Sequence, residues 1–216
     1  MKNPKITMID LYTFQRWNDI QAAFEQSGSY TPSWTLAHRQ TILNDGEEWW
    51  GFLAPAYRWV MSEMEAAGMP SPGPDAAPVW AWARWIDNHG RIRTRPDRRC
   101  SDFHGQYDGL ELIHLHVDKS RVLLTDFDSY HCVLNKAPCA PESMFVTGLE
   151  DEYDEWLDVH WDDPIDAKRR QWHDSVIIPL ENMPRQWIQA CLWTIHPQDV
   201  VRVLRRRRPR SGTPHC

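Results

Sequence analysis

The segment Leu123–Asn135 reads LLTDFDSYHCVLN: a short apolar run, Val122–Thr125, passes straight into two carboxylates, two hydroxyls and an imidazole. Carboxylates and imidazole are the side chains that most often move protons near neutral pH. One carboxylate, Asp126 or Asp128, has a plain structural use, because a helix start leaves backbone N–H groups that such a side chain caps. That use leaves the other Asp, Tyr130 and His131 unassigned. If a short helix runs from about Ser129 to Leu134, Asp128, His131 and Asn135 stand at i, i+3 and i+7 and share one face. The segment is therefore expected either to cap a helix or to form the rim of a site, with His131 or Asp128 as general base.

Two other groups of residues suggest chemistry. His114 and His116 alternate along Leu110–Val117, so both project from one face of a strand. With Asp126 and Asp128 they make a nitrogen and oxygen set suited to zinc or iron, as in a metal-dependent nuclease. Exposed strand histidines of this spacing are also common, and no residue is assigned to a metal. The basic stretch Arg93–Arg99 (RTRPDRR) follows a Trp-rich strand, Val79–Trp85, in which Trp80, Trp82 and Arg84 fall on one face. Arg forks recognise phosphate bidentately and indole stacks on bases, so the combination suggests a nucleotide pocket. The competing reading is a solvated Arg loop paired with acidic residues elsewhere. The sequence contains no Gly-rich phosphate loop, no nucleophile elbow and no HExxH motif, which argues against P-loop, serine-hydrolase and zincin chemistry.

The elements that must position these residues follow from periodicity. Ile9–Phe14 reads as a strand, followed by a helix in which Trp17, Ile20 and Phe24 recur, closed by Gly28. A second helix is expected from about Trp49 to Ala67, with Phe52, Ala56, Val60 and Met64 on one stripe and Pro55 near its start. Leu110–Val117 and Arg121–Thr125 read as a hairpin across the turn Asp118-Lys119-Ser120. Ser175–Leu180, Ile188–Ile195 and Val200–Leu204 read as strands. Helices first and strands later, without helices between the late strands, predict an α+β fold on a mainly antiparallel sheet. A single domain is expected over residues 1–204.

The chain has 216 residues and a net charge of −6, distributed unevenly. Glu150–Asp166 holds nine carboxylates and no Lys or Arg, and is expected to be a long acidic loop. Arg202–Arg210 holds six arginines; residues 205–216 read as a disordered basic tail that either contacts nucleic acid phosphates or remains a solvated end. Thirteen tryptophans exceed what a core of this size needs, which favours aromatic walls around a flat ligand. The five cysteines are odd in number and lack zinc-ribbon spacing, so they read as thiols, Cys191 as a core residue. No apolar run reaches membrane-spanning length, and Met1–Asp10 is too short and polar for a secretion signal. The chain reads as cytoplasmic, with no membrane partner.

Taken together, Leu11–Gln15 (LYTFQ), Ala56–Val60 (AYRWV), Pro78–Trp82 (PVWAW), Arg95–Arg99 (RPDRR), Leu123–Asn135 and Ile188–Ile195 (IQACLWTI) resemble a bacterial domain-of-unknown-function family. That family has Trp at the place of Tyr130. More distantly, a first strand with a polar residue followed by a helix ending in Gly resembles ADP-ribosyltransferases of the DNA-modifying toxin type. This second resemblance implies an ADP-ribosyltransferase-like fold, NAD as cofactor, and transfer to a nucleic acid or protein. It implies cofactor contacts from Tyr12, Thr13, Gln15, Trp82, Arg98 and Asn135, and catalytic roles for Asp126, Asp128, His131 and Gln189. The closing motif departs from the pattern: Gln189-Ala190-Cys191 carries a thiol where those enzymes carry the Glu that orients the ribose. Catalysis then relocates to the Asp126–His131 segment, or the fold serves as a non-catalytic binding module.

Overall fold

In the computed structural model, which describes residues 7–97, 99–107, 109–144, 150–181, 183–184 and 186–204, the alternating segment Met8–Gln15 (β1) organises the sheet. One edge of β1 pairs along its whole length with Glu111–Asp118 (β4), from Met8↔Asp118 to Gln15↔Glu111. The far edge of β4 carries Val200–Leu204 (β8). The other edge of β1 meets Val79–Ile86 (β2) at one register pair, Tyr12↔Trp82. Beyond β2 lie Ile188–Leu192 (β7), Leu123–Asp126 (β5) and Ile177–Ile178 (β6), while Ile92–Arg93 (β3) adds to the end of β2. Every pairing is antiparallel, so the fold is α+β as expected. The sheet consists of two strand groups, β1–β4–β8 and β2–β7–β5–β6, joined at that one pair.

Strand alternation assigns the two faces. Ile9, Leu11, Val79, Ala81, Ile113, Leu115, Leu124, Ile188, Ala190 and Leu192 form one apolar core drawn from both strand groups. The helix Trp17–Ser27 (α1) adds Ile20, fully buried, and stops at Gly28, whose φ of +78° lets its N–H reach the Phe24 carbonyl at 3.0 Å. Each such fully buried aliphatic side chain contributes about 1.5–3 kcal/mol. The opposite face packs under Glu47–Ala66 (α3), Tyr130–Asn135 (α5) and Ile165–Val176 (α7), through Ala56, Trp59, Val60, Tyr130, Val133, Trp172 and Val176. An aromatic cluster of Tyr12, Trp82, Trp85 and Phe103 closes that face where the strand groups meet; Phe103 comes from the short helix Ser101–His104 (α4). Two further helices, Trp34–Asp45 (α2) and Glu150–His160 (α6), lie outside these cores.

Several expectations are corrected. The acidic window is not a loop but α6 and the first turn of α7. Its apolar residues Tyr153, Trp156, Leu157 and Trp161 recur at helical steps among the charges. The β4–β5 hairpin does not form, because β1 and β8 occupy both edges of β4; β5 pairs with β7 and β6 instead. The Ser175–Leu180 strand shrinks to Ile177–Ile178 because α7 continues to Val176. Arg84 leaves the Trp80–Trp82 face, since a bulge between Trp82 and Arg84 brings Trp85 into the aromatic cluster and sends the guanidinium to the Met183 and Pro184 carbonyls. The helix α2, absent from the periodicity reading, buries no residue and so has no apolar stripe to detect. It is announced only by Ser33, whose hydroxyl caps the Leu36 N–H at 3.0 Å. The basic stretch is not wholly a loop: β3 ends in Arg93, and α4 follows at Ser101. The basic tail and Arg98 lie outside the described residues.

Candidate functional site

Two clefts collect several of the residues singled out above. The first, about 600 Å³, opens where β1 and β2 part beyond Tyr12↔Trp82. Phe14 and Gln15 of β1, Trp80 and Trp82 of β2 and Gln189 of β7 line it, with Tyr57 of α3 and the Tyr30–Ser33 segment. A chain of hydrogen bonds sets Gln15: the Tyr30 hydroxyl donates to its Oε1 at 3.5 Å, and its Nε2 donates to Thr13 Oγ1 at 3.3 Å. Thr13, only 1% exposed, in turn donates its hydroxyl to the Trp80 carbonyl at 2.7 Å, bridging the strands as they diverge. Thr13 thus lies beneath the cleft rather than on its surface. The cleft wall formed by α2 is anchored by Asp75, which accepts from the Ser33 and Thr35 hydroxyls and the Thr35 N–H. Those bonds hold its carboxyl below the ordinary value.

The aromatic walls differ from the expected ones. Trp82 is 5% exposed and enclosed by Phe103, Phe127 and Trp187, with ring centroids at 5.2, 5.2 and 5.6 Å. Little of it remains to stack on a ligand. Trp80 and Tyr57, both half-buried and 5.5 Å apart, are the accessible rings. The indole Nε1 of Trp80 is buried and has no partner among the described residues. Tyr12 points elsewhere: its ring stacks on His114 at 4.6 Å and 7°.

The second cleft, about 1080 Å³, brings together Asp126, Asp128, His131 and Asn135. Asp126 is 2% exposed, and its Oδ1 accepts the Ser129 N–H at 2.7 Å, tying the turn before α5, whose own N-cap residue, Ser129, makes no side-chain capping bond. Its Oδ2 is buried with no partner among the described residues. Burial raises its pKa above the ordinary carboxylate value, against the lowering effect of the Ser129 bonds. His131 faces its Nδ1 to the Phe127 and Asp128 carbonyls at 3.1 and 3.2 Å, so that nitrogen carries the proton and Nε2 stays open. Asn135 donates to the His131 carbonyl at 2.7 Å. The far wall is Tyr153 and Leu157 of α6 with Trp161 beyond it, none of which the sequence reading singled out. Trp80 packs on Tyr130 at 5.1 Å, and the neighbours of Tyr130, Ser129 and His131, line the second cleft. The clefts thus lie on either side of one aromatic pair and share no lining residue.

The metal set does not converge. His114 Nε2 and His116 Nδ1 both meet Oδ1 of Asp10, at 2.9 and 3.0 Å, while three strands of the sheet order separate β4 from β5. Burial pushes the Asp10 carboxyl up, but the two histidine hydrogen bonds outweigh it and leave it below its ordinary value. Among the described residues no group of three His, Cys, Asp or Glu is arranged to hold a metal ion. In and beside the basic stretch, Arg91 and Arg93 pair with Asp87 and Arg99 pairs with Asp97, not with the acidic window. The four described cysteines are free thiols. No helix among the described residues is long and apolar enough to cross a membrane.

Residues 10–142 match a family described as a domain of unknown function, DUF3841. The chain belongs to that family. The DUF3841 span includes Gln15, Trp82 and the whole Asp126–Asn135 segment, whereas Gln189 and the strand that carries it lie beyond it. No curated protein and no solved structure matches the chain.

Proposed function

We propose that the first cleft binds a nucleotide, with NAD as the candidate, and that the chain is an ADP-ribosyltransferase-like protein acting on a nucleic acid or protein. The convergence of Gln15, Trp82 and Gln189 from three strands onto one cleft carries this reading. A cleft of about 600 Å³ is in the range that encloses a small-molecule ligand. Trp80 and Tyr57 supply stacking area, while Gln15 and Gln189 supply amides that both donate and accept, as ribose hydroxyls and a carboxamide require. Transfer needs more than binding. Cys191, two residues after Gln189, is completely buried, and burial pushes its thiol well up, so it supplies no anion to orient a ribose. That observation favours a second reading, a binding module that does not turn its nucleotide over.

Titration calorimetry with NAD and ADP-ribose tests the binding. Both ligands should bind, and Gln15→Ala and Gln189→Ala should each weaken them about 3–10-fold, the worth of one neutral hydrogen bond. Absence of binding, or equal binding by the variants, would overturn the reading. Chromatography of NAD incubated with the protein separates the two forms: release of nicotinamide identifies turnover, and intact NAD identifies the binding module.

A further inference from the structure

The second cleft presents a different chemistry. Asp126, Asp128 and Asp174 line it, and among the described residues its lining contains no Lys or Arg. Asp128 and Asp174 stand at the exposed rim, where water solvates them, and taken alone they are only a charged edge. Asp126 is the decisive residue. It lies at the end of a fully buried strand, 2% exposed, with one oxygen engaged by the Ser129 N–H and the other buried without a partner. A buried acceptor left unmatched costs about 1–3 kcal/mol, more if charged. The bond to the Ser129 N–H uses one carboxylate oxygen and does not account for the second.

The remaining walls are apolar and aromatic. Tyr153, Leu157, Trp161, Ile177 and Ile178 line the cleft. Trp161 is 56% exposed, an unusual setting for an indole and a suitable one for a flat cation above its face. We propose that this cleft is a second binding site, for a ligand with a guanidinium, amidinium or ammonium head on an apolar or aromatic body. The head donates N–H groups to the free oxygen of Asp126 and lies in the field of Asp128 and Asp174. The body packs on Trp161 and Leu157. Phosphate and carboxylate ligands are disfavoured by the same three carboxylates. The site is independent of the nucleotide cleft, since no residue lines both.

The test uses the full chain and two probes of nearly equal shape, benzamidine, which is charged, and benzamide, which is not. Calorimetric titration should show benzamidine binding, and benzamide weaker by about tenfold or more, the scale of a charge-assisted hydrogen bond. Asp126→Asn keeps the oxygen that accepts the Ser129 N–H and removes the charge; it should lower benzamidine affinity by about tenfold or more. The double variant Asp128→Asn, Asp174→Asn alters only exposed side chains, so it stays folded and should also weaken benzamidine, by a smaller factor. Equal binding of the two probes, no binding of benzamidine, or full benzamidine affinity in the double variant would overturn the proposal.

Discussion

Asp126 has two oxygens in different situations, and the difference predicts how its replacement behaves. Because burial raises its folded pKa, the folded protein favours the neutral carboxyl more than the unfolded chain does. The sign follows from linkage. Stability associated with the neutral form is complete below the unfolded value, about 3.9, and is lost as pH rises through the folded value. Asp126→Asn should therefore raise the melting temperature near pH 7.5, by roughly 1 kcal/mol in stability, and the gain should vanish toward pH 3. Thermal unfolding at both pH values checks this, and a loss of stability at pH 7.5 would contradict it. Asp128, His131, Cys132 and Asp174 also face the cleft, so the comparison is made between variant and parent, which share them. At this scale the sequence was partly legible. DFDSYH could be read as more than a cap because a cap uses one carboxylate, and in the structure Asp126, Asp128, His131 and Asn135 line one cleft. The roles of Tyr57 and Trp161 were not legible, since they depend on which helices fold over which face.

At the scale of elements, the connection after β4 explains why an apparent hairpin is not one. Asp118 caps the turn by accepting the Ser120 N–H at 2.9 Å, and Arg121 is then fixed by the chain's far end. Its guanidinium meets both oxygens of Asp199, at 2.8 and 2.9 Å, and the Thr194 carbonyl at 2.7 Å. Asp199 is buried, and it also accepts the His196 N–H at 2.8 Å. Removing the Arg strands that carboxylate, so Arg121→Met should cost about 3 kcal/mol, measured by urea denaturation; a loss under about 1 kcal/mol would mean that the pair behaves as a surface bridge. The helix α3 offers a change of opposite sign. Pro55 was expected near a helix start, yet α3 begins at Glu47, which places Pro55 in its interior, exposed. An interior Pro lacks one N–H and crowds the preceding turn. Pro55→Ala should stabilise the protein by about 1–3 kcal/mol, seen as a higher urea midpoint with an unchanged slope; a lower midpoint would show that the proline is needed for α3 to cover the sheet. Local signals thus located strands and helix ends well. They did not disclose strand partners, because pairing is decided by which edges distant segments have already taken.

At the scale of the molecule, the two strand groups meet at Tyr12↔Trp82 and share one apolar core, and the second group depends on a late segment. The family match ends at residue 142, but β7 is at residues 188–192 and lies between β2 and β5 in the sheet. Without β7, β5 loses the neighbour that gives it four register pairs, from Leu123↔Cys191 to Asp126↔Ile188. The core loses Ile188, Ala190 and Leu192, all fully buried, and α7 takes Trp172 and Val176 with it from the opposite face. Both clefts fail together, the first through Gln189 and the second through its α6 and α7 walls. At about 1.5–3 kcal/mol for each large aliphatic side chain, Ile188 and Leu192 with the two α7 residues account for much of the 5–15 kcal/mol by which a domain is ordinarily stable. A fragment of residues 1–142 should therefore show no cooperative thermal transition by circular dichroism and should bind neither NAD nor benzamidine. A cooperative transition in that fragment would mean that β1, β2 and β4 with α1 and α3 form a self-sufficient core, and that the late strands are an addition to it.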